Sequence, residues 1–347
     1  MNRAVPGGEE TCDARHEKLS IEVTTRCNSQ CAYCFARSGK SDPSELPLGL
    51  VRDIIAEGYA TGYRRLHITG GEPFLWKGLF QILDEAFAMG YATIFVNTNG
   101  TLLDKISSAR LASYNGLMIS VSLDGPQSLH DRFRGKGTFR PAFRGLEMAL
   151  SEGVGVFLFA VASKSLTNHL AHFTREMYMR FPDLKSLTLI PLVYVQGGSP
   201  DLGDEFLGPK DFLKLVRTAA LLNLSGLKTD FLNEPLVNVV LKLMGMPWVP
   251  LVYPLYREDS MIIMANRDIR LAHSDRRSFA RYDCGILKRV LESDAYRKAV
   301  APDDMTCLSC TYYELCRTNG MLRPSAPLSV GRSSIPLCRH LLDSIAV

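Results

Sequence analysis

Six short apolar runs, rich in β-branched residues, alternate with helical stretches over the first two-thirds of the chain, and few folds satisfy such an alternation. The runs are KLSIEVTT (18–25), RLHIT (65–69), YATIFVNT (91–98), GLMISVSL (116–123), GVFLFAVA (155–162) and SLTLIPLVYV (186–195). Between them Leu79, Ile82, Leu83 and Ala86 recur at helical spacing, as do Phe139, Phe143, Leu146 and Leu150. Both stripes predict faces turned to a core. Strand and helix in turn predict parallel strands joined by crossover helices. The expected fold is therefore α/β, a partial (β/α)6 TIM-like barrel over residues 18–200. Its ligands would sit at the C-terminal ends of the strands.

From GPKDFLKLVRTAALLNL (208–224) the alternation is expected to stop. A helix with Pro209 in its first turn is followed by a second helical stretch at 234–245. The segment MGMPWVPLVYP (244–254), with three prolines in eleven residues, reads as a linker or domain edge. Beyond it DSMIIMANRDIRLAHSD (259–275) reads as a hairpin turning at Asn266–Arg267, and the rest as loop-rich and cysteine-containing. The expected division is a lead-in over 1–17, the barrel and following helices over 18–245, and a small domain over 246–347.

Composition removes several function classes. Lys plus Arg exceeds Asp plus Glu by 40 − 36 = +4, with the charge spread out, so neither nucleic acid nor a membrane surface is an expected partner. No apolar run reaches the roughly 18 residues of a membrane span. The opening MNRAVPGGEETCDARHE is polar, with four carboxylates, and lacks the apolar segment of a signal peptide. The expected location is the cytoplasm, where the nine cysteines would be metal ligands or buried thiols rather than disulfides.

Cys27, Cys31 and Cys34 stand directly after the first strand with spacing CxxxCxxC. Three thiols leave a tetrahedral metal site one ligand short. A zinc site completed from a distance is one reading, although no partner CxxC or histidine pair lies nearby. The other is a cubane iron–sulfur cluster in which three thiolates hold three irons and the fourth iron stays open for a small molecule.

CxxxCxxC with an aromatic residue, Tyr33, before the last cysteine resembles the signature of the radical S-adenosylmethionine (SAM) superfamily. That resemblance implies a 4Fe–4S cluster whose open iron chelates the methionine part of SAM, and whose electron releases a 5′-deoxyadenosyl radical. Later segments agree in order. TGGEP (69–73), after the second strand, resembles the family motif against the methionine amino group, which implies roles for Gly70, Gly71, Glu72 and Pro73. NTNG (97–100) and SVSLDGP (120–126) resemble segments lining the SAM site, which implicates Asn99, Ser122 and Asp124. In HDRFRG (130–135), Arg134 is either the partner of the methionine carboxylate or a solvated surface arginine.

Near the C-terminus CLSCTYYELC supplies Cys307, Cys310 and Cys316, and Cys338 lies 22 positions beyond the last of these. A zinc ribbon is one reading. Beside the first motif, the pattern resembles the SPASM extension of radical SAM enzymes, with departures: Gly320 stands where the extension has a fourth cysteine, and His273 stands in the stretch where an upstream ligand is sought. The resemblance therefore implies one auxiliary 4Fe–4S cluster on Cys307, Cys310, Cys316 and Cys338. Cys284 is a buried thiol or a further ligand, and Cys12 is incidental.

The implied activity is oxidative modification of a ribosomally made peptide or protein, with a flavodoxin- or ferredoxin-type electron donor. Two alternatives stay open. One is oxidative decarboxylation of tetrapyrrole side chains, a small-molecule substrate for which the arginines of RDIRLAHSDRR (267–277) are the candidate propionate holders. The other is a non-catalytic iron–sulfur scaffold.

Overall fold

The computed structural model describes residues 18–34, 43–193, 200–253, 257, 259–273, 275, 277–301, 305–317 and 337–345. The expected lead-in over 1–17, Cys12 and Gly320 lie outside these residues.

Six strands form where the apolar runs predict them: β1 (Leu19–Glu22), β2 (Arg65–Thr69), β3 (Thr93–Thr98), β4 (Leu117–Ser122), β5 (Gly155–Ala162) and β6 (Ser186–Pro191). They pair in parallel, each with the next. The helices between them are α1 (Leu48–Thr61), α2 (Leu79–Met89), α3 (Lys105–Ala112), α4 (Gln127–Arg134), α5 (Phe139–Ser151) and α6 (Lys164–Arg180). On α2 the predicted stripe of Leu79, Ile82, Leu83 and Ala86 is buried throughout. On α5 the buried face is Ala142, Gly145, Leu146 and Ala149. Phe139 and Phe143 flank that face and stack on each other, with ring centroids 5.4 Å apart.

The alternation does not stop at residue 208, contrary to expectation. After α7 (Pro209–Leu224) comes β7 (Thr229–Leu232), then α8 (Leu236–Leu243) and β8 (Val252–Tyr253). β7 pairs in parallel with β6, and β8 with β7. The segment read as a linker thus contributes an edge strand. Its sequence hid this because a two-residue strand among prolines carries no period.

The hairpin at Asn266–Arg267 is present as β9 (Met261–Ile263) and β10 (Asp268–Arg270), with Arg267 at φ 72° in the turn. It does not stand apart from the barrel. β9 pairs in parallel with β1, and β11 (Ala280–Arg281) follows on β10, so the sheet runs β11-β10-β9-β1-β2-β3-β4-β5-β6-β7-β8. The expected division at residue 245 therefore falls within one continuous sheet.

The remaining helices are short: α9 (Leu287–Leu291), α10 (Asp294–Val300), α11 (Met305–Leu308), α12 (Tyr313–Cys316) and the longer α13 (Leu337–Ile345). Among the described residues no helix is long and apolar enough to cross a membrane.

Strand periodicity separates two faces. On β3 and β5, Ile94, Val96, Val156, Leu158, Ala160 and Ala162 are fully buried beneath the helices, while Phe95, Asn97, Phe157, Phe159 and Val161 are only half-buried. The inner, concave face is thus open along these strands. On β1, Leu19 packs against Gly58 of α1, which sends Ser20 and Glu22 to the inner face. Ser20 meets His67 of β2 there at 3.1 Å, and the Ser120 hydroxyl donates to Asn97 at 2.8 Å.

Candidate functional site

The loop carrying Cys27, Cys31 and Cys34 leaves the C-terminal end of β1 and is held by the ends of the next three strands. The second strand grips it through the TGGEP turn. Gly71 N–H donates to Thr24 O at 2.7 Å, and Glu72 N–H to Arg26 O at 2.8 Å. A Cβ on Gly70 would lie 2.5 Å from the Thr24 carbonyl oxygen, and one on Gly71 would lie 2.2 Å from that of Arg26. Both glycines are therefore required by the approach of the chain's own backbone just before Cys27. Pro73 opens the 3-10 turn Pro73–Leu75, which Glu72 caps.

Glu72 is fully buried at this junction. Its Oε1 accepts from the Thr98 hydroxyl at 2.8 Å and from Phe74 N–H at 3.2 Å, and its Oε2 from Asn99 N–H at 2.7 Å. The carboxylate thereby ties the end of β2 to the end of β3. Burial pushes its pKa up to about 7, against the pull of these donors and of the Arg134 charge.

Asn99 carries the tie onward to the cysteine loop. Its Nδ2 donates to Asn28 Oδ1 at 2.7 Å and Ser29 Oγ at 3.3 Å, and lies 4.0 Å from Cys27 Sγ. Its Oδ1 accepts from the N–H and hydroxyl of Thr101. Asn28 closes the ring by donating to the Thr101 hydroxyl at 2.8 Å.

The end of β4 holds the far side of the loop. Asp124 is fully buried and accepts from Arg134 Nε at 2.7 Å, from Val161 N–H at 2.9 Å and from the Tyr33 hydroxyl. The Arg134 guanidinium lies 5.5 Å from the Tyr33 ring centroid, and Ala32 N–H donates to Phe133 O at 2.8 Å. Burial raises the Asp124 pKa, but Arg134 and the hydrogen bonds more than offset it, leaving the carboxyl below its ordinary value.

Arg134 is thus neither a solvated surface residue nor wholly free for a ligand. Two of its nitrogens face Asp124, which leaves the Nη1 side. Ser122, half-buried at the end of β4, has no side-chain hydrogen bond among the described residues. The participation of Thr24, Asn28, Ser29, Thr98 and Val161 was not foreseen. Thr24, Asn28, Ser29 and Thr98 lie inside or beside quoted motifs, whereas Val161 carries no sequence signal.

Burial, with the neighbouring thiols adding to it, raises the pKa of Cys27 and pushes that of Cys31 to about 11. Without metal Cys27 and Cys31 are neutral thiols, so metal binding must displace their protons. Among the described residues no three His, Cys, Asp or Glu side chains converge closely enough to hold a single ion. Three thiols on one loop are a donor set that fits a cluster, whose thiolates bind separate irons.

Of the second cysteine set, Cys307 lies on α11, Cys316 on α12 and Cys338 on α13, with Cys310 between α11 and α12. Cys310 N–H donates to Cys307 O at 3.0 Å, which folds that pair into a turn. α12 packs on α8 and α13 on α7, with α7 and α8 against each other. Cys316 and Cys338 are therefore carried by one helical pair, both partly buried against the core. Cys307 is exposed. Cys284, the unassigned thiol, is exposed rather than buried.

Comparison with known proteins adds three findings. Residues 21–177 match the family model of the Radical SAM superfamily. The mycofactocin maturase MftC of Mycobacterium ulcerans is 35% identical over 152 residues, which are 44% of this chain and 40% of that protein. The Fe-coproporphyrin III synthase of Methanosarcina barkeri is 30% identical over 186 residues, which are 53% of this chain and 46% of that protein. The matches thus span less than half the length of these curated relatives. Among solved structures, anSMEcpe with bound AdoMet superposes with a TM-score of 0.71 at 18% identity, covering 95% of this chain and 91% of that one.

Proposed function

Residues 21–177 are a radical SAM domain, and on that premise we propose that the chain is an enzyme that reductively cleaves S-adenosylmethionine and oxidatively modifies a ribosomally made peptide or protein. The observation that carries the SAM chemistry is the way Glu72, Asn99 and Asp124 fasten one three-cysteine loop to the C-terminal ends of three successive strands. A loop that only needed to be ordered would not require two buried carboxylates and a buried amide.

Cys27, Cys31 and Cys34 would hold the 4Fe–4S cluster, which when bound supplies the electron that splits SAM into methionine and a 5′-deoxyadenosyl radical. Tyr33, anchored on Asp124, and Asn99, beside Cys27, hold the loop in place. Glu72 is the buried carboxylate nearest the glycine turn, and a SAM ammonium beside it would keep it ionised. Ser122 offers a hydroxyl, and the Nη1 side of Arg134 a cation, to the ribose and carboxylate of SAM.

Cys307, Cys310, Cys316 and Cys338 would hold one auxiliary 4Fe–4S cluster. Four protein ligands leave no open iron, so these residues serve electron transfer or support rather than substrate ligation. A flavodoxin- or ferredoxin-type protein is the proposed electron donor.

The peptide substrate is supported by the maturase relative and by the neighbouring anSMEcpe fold, which has also been solved with a Kp18Cys peptide. Oxidative decarboxylation of a tetrapyrrole is the second reading, favoured by the Methanosarcina relative. The test is anaerobic incubation of the reconstituted chain with dithionite and SAM. Release of 5′-deoxyadenosine is expected, and replacing Cys27, Cys31 and Cys34 by Ala should abolish it. No release would sink the reading. A precursor peptide that loses two hydrogens would establish the substrate class, whereas loss of carbon dioxide from a coproporphyrin would replace it.

A further inference from the structure

Glu205 is a buried carboxylate that takes no part in the contacts described above. It ends the 3-10 turn Pro200–Glu205, in the connection from β6 to α7, and is 5% exposed. Its Oε1 accepts from Arg132 Nη1 of α4 at 2.7 Å and from the Ser165 hydroxyl of α6 at 2.7 Å. Its Oε2 accepts from Ser165 N–H at 3.0 Å. One side chain thus joins the β6–α7 connection to the helices that directly follow β4 and β5.

Capping α6 does not explain this arrangement. Ser163 already caps that helix, its side chain accepting from Leu166 N–H at 3.1 Å. A carboxylate taken out of water is costly unless donors and an opposite charge meet it. Burial raises the Glu205 pKa, but Ser165, Ser163 and Arg132 outweigh it, so the group stays an anion. Arg132 is the cation among these donors, and it belongs to α4. Its side chain is 53% exposed, so water would hold it equally well if Glu205 did not.

α4 is the helix that steadies the cysteine loop. Its eight residues are too few for a helix to be stable alone, so its place is set by what ties it down. On one side Arg134 donates to Asp124, and Asp124 N–H donates to His130 Nδ1 at 3.3 Å. On the other side Arg132 meets Glu205. Between them Phe133 touches the loop: its carbonyl accepts from Ala32 N–H at 2.8 Å, and its ring centroid lies 6.1 Å from that of Tyr33. The Arg132 guanidinium lies 5.3 Å from the Phe133 ring centroid. An unbroken run of contacts therefore leads from Glu205 to the residues between Cys31 and Cys34.

We propose that Glu205 is a positioning residue for the first cysteine loop. Through Arg132 it fixes α4, and α4 fixes Ala32 and Tyr33, so that the loop keeps one geometry for the cluster and SAM. This deepens the SAM reading above and rests on it. Glu205 acts through Arg132 and Phe133 and not by touching the reacting groups.

The test compares Glu205→Gln, Arg132→Met and the double variant in the reconstituted full-length chain. Gln keeps the size and an acceptor for Ser165 but removes the charge that holds Arg132. Hydrogen exchange, read by mass spectrometry, should quicken about tenfold over residues 27–34 and 127–134 in each variant, and little further in the double variant. Exchange over β2 and β3 should stay as in the wild type. SAM affinity, read by equilibrium dialysis, should fall about tenfold in the same variants. Arg132→Lys, which keeps the cation, should restore most of both. Glu85→Gln, which breaks the fork to Arg52 between α1 and α2, should move neither. Melting temperature checks the fold, and if Glu205→Gln does not fold, Arg132→Met breaks the same tie from its exposed end. Exchange that quickens evenly through the chain, or stays unchanged at 27–34, would overturn the proposal, as would losses that simply add. Local quickening in a chain whose wild type releases no 5′-deoxyadenosine would uphold the positioning and sink the SAM reading. Release of 5′-deoxyadenosine with exchange and SAM affinity indifferent to the variants would do the opposite.

Discussion

Arg134 lies fork-on against Asp124, with Nε 2.7 Å from Oδ2 and Nη2 3.3 Å from Oδ1, and both side chains are withdrawn from solvent. The same carboxylate accepts from the hydroxyl of Tyr33, between the second and third cysteines of the loop. One buried ion pair thus fixes the far end of the cysteine loop to β4 and α4.

Removing one partner of such a pair leaves an uncompensated buried charge. Arg134→Ala is expected to lower the unfolding free energy by about 3–5 kcal/mol, measured by urea denaturation. Arg134→Lys should recover only part of it, because an ammonium lacks the planar fork. An Arg134→Ala chain of unchanged stability would show that the pair does not hold the loop.

Gly71→Ala would drive a methyl group to within 2.2 Å of the Arg26 carbonyl oxygen, one residue before Cys27. Backbone meets backbone there, so no side chain can give way. We expect a destabilisation of roughly 1–3 kcal/mol and a loss of iron from the first site, read by iron analysis and thermal melting. Gly153→Ala, with open space around its Cβ but φ +86°, controls for backbone strain alone. Equal iron content in the two variants would refute the requirement at Gly71.

Glu72 gives the chain a pH dependence of known sign. Its folded pKa of about 7 lies above the ordinary 4.5, so the folded state binds the proton more tightly than the unfolded state. Its contribution to stability is therefore complete below pH 4.5 and falls away as pH rises to about 7. The fall amounts to about 3 kcal/mol at 1.36 kcal/mol per unit. In the metal-free protein, unfolding free energy should decline less steeply across this window for Glu72→Gln than for the wild type. Parallel profiles would remove Glu72 as the cause.

The two cysteine sets should separate cleanly. Two cubanes correspond to about eight irons per chain, and Cys310→Ala should leave about four. That variant should still cleave SAM with dithionite but fail to give oxidised product. Zinc in the second site after anaerobic isolation would contradict the assignment, and full substrate conversion by Cys310→Ala would make the second site structural only.

Much of the fold was legible because its signals are local. The six apolar runs became β1 to β6, since a parallel strand buried beneath helices must be nearly continuously apolar. The last two strands, β7 and β8, were not legible. They contribute four and two residues, and their pairing is decided by the strand each meets, β6 for β7 and β7 for β8, rather than by any period of their own. β9 escaped differently: its hairpin was visible, but its place beside β1 depends on a contact between residues more than 240 positions apart.

The sequence by itself determined that CxxxCxxC, TGGEP, NTNG and SVSLDGP meet at one end of the sheet, because parallel topology must deliver short motifs that follow successive strands to the same side. Only the tertiary structure decided what each residue does there. Gly70 and Gly71 yield to the backbone of Thr24 and Arg26, Glu72 is spent on Thr98 and Asn99, and Arg134 is turned onto Asp124. The reason is physical: a motif records which groups can donate, accept or carry charge, but a buried group must be satisfied by whatever the packed chain brings within about 3 Å of it. Glu22 and Arg270, residues of no motif, show the converse: each keeps one buried atom without a partner among the described residues.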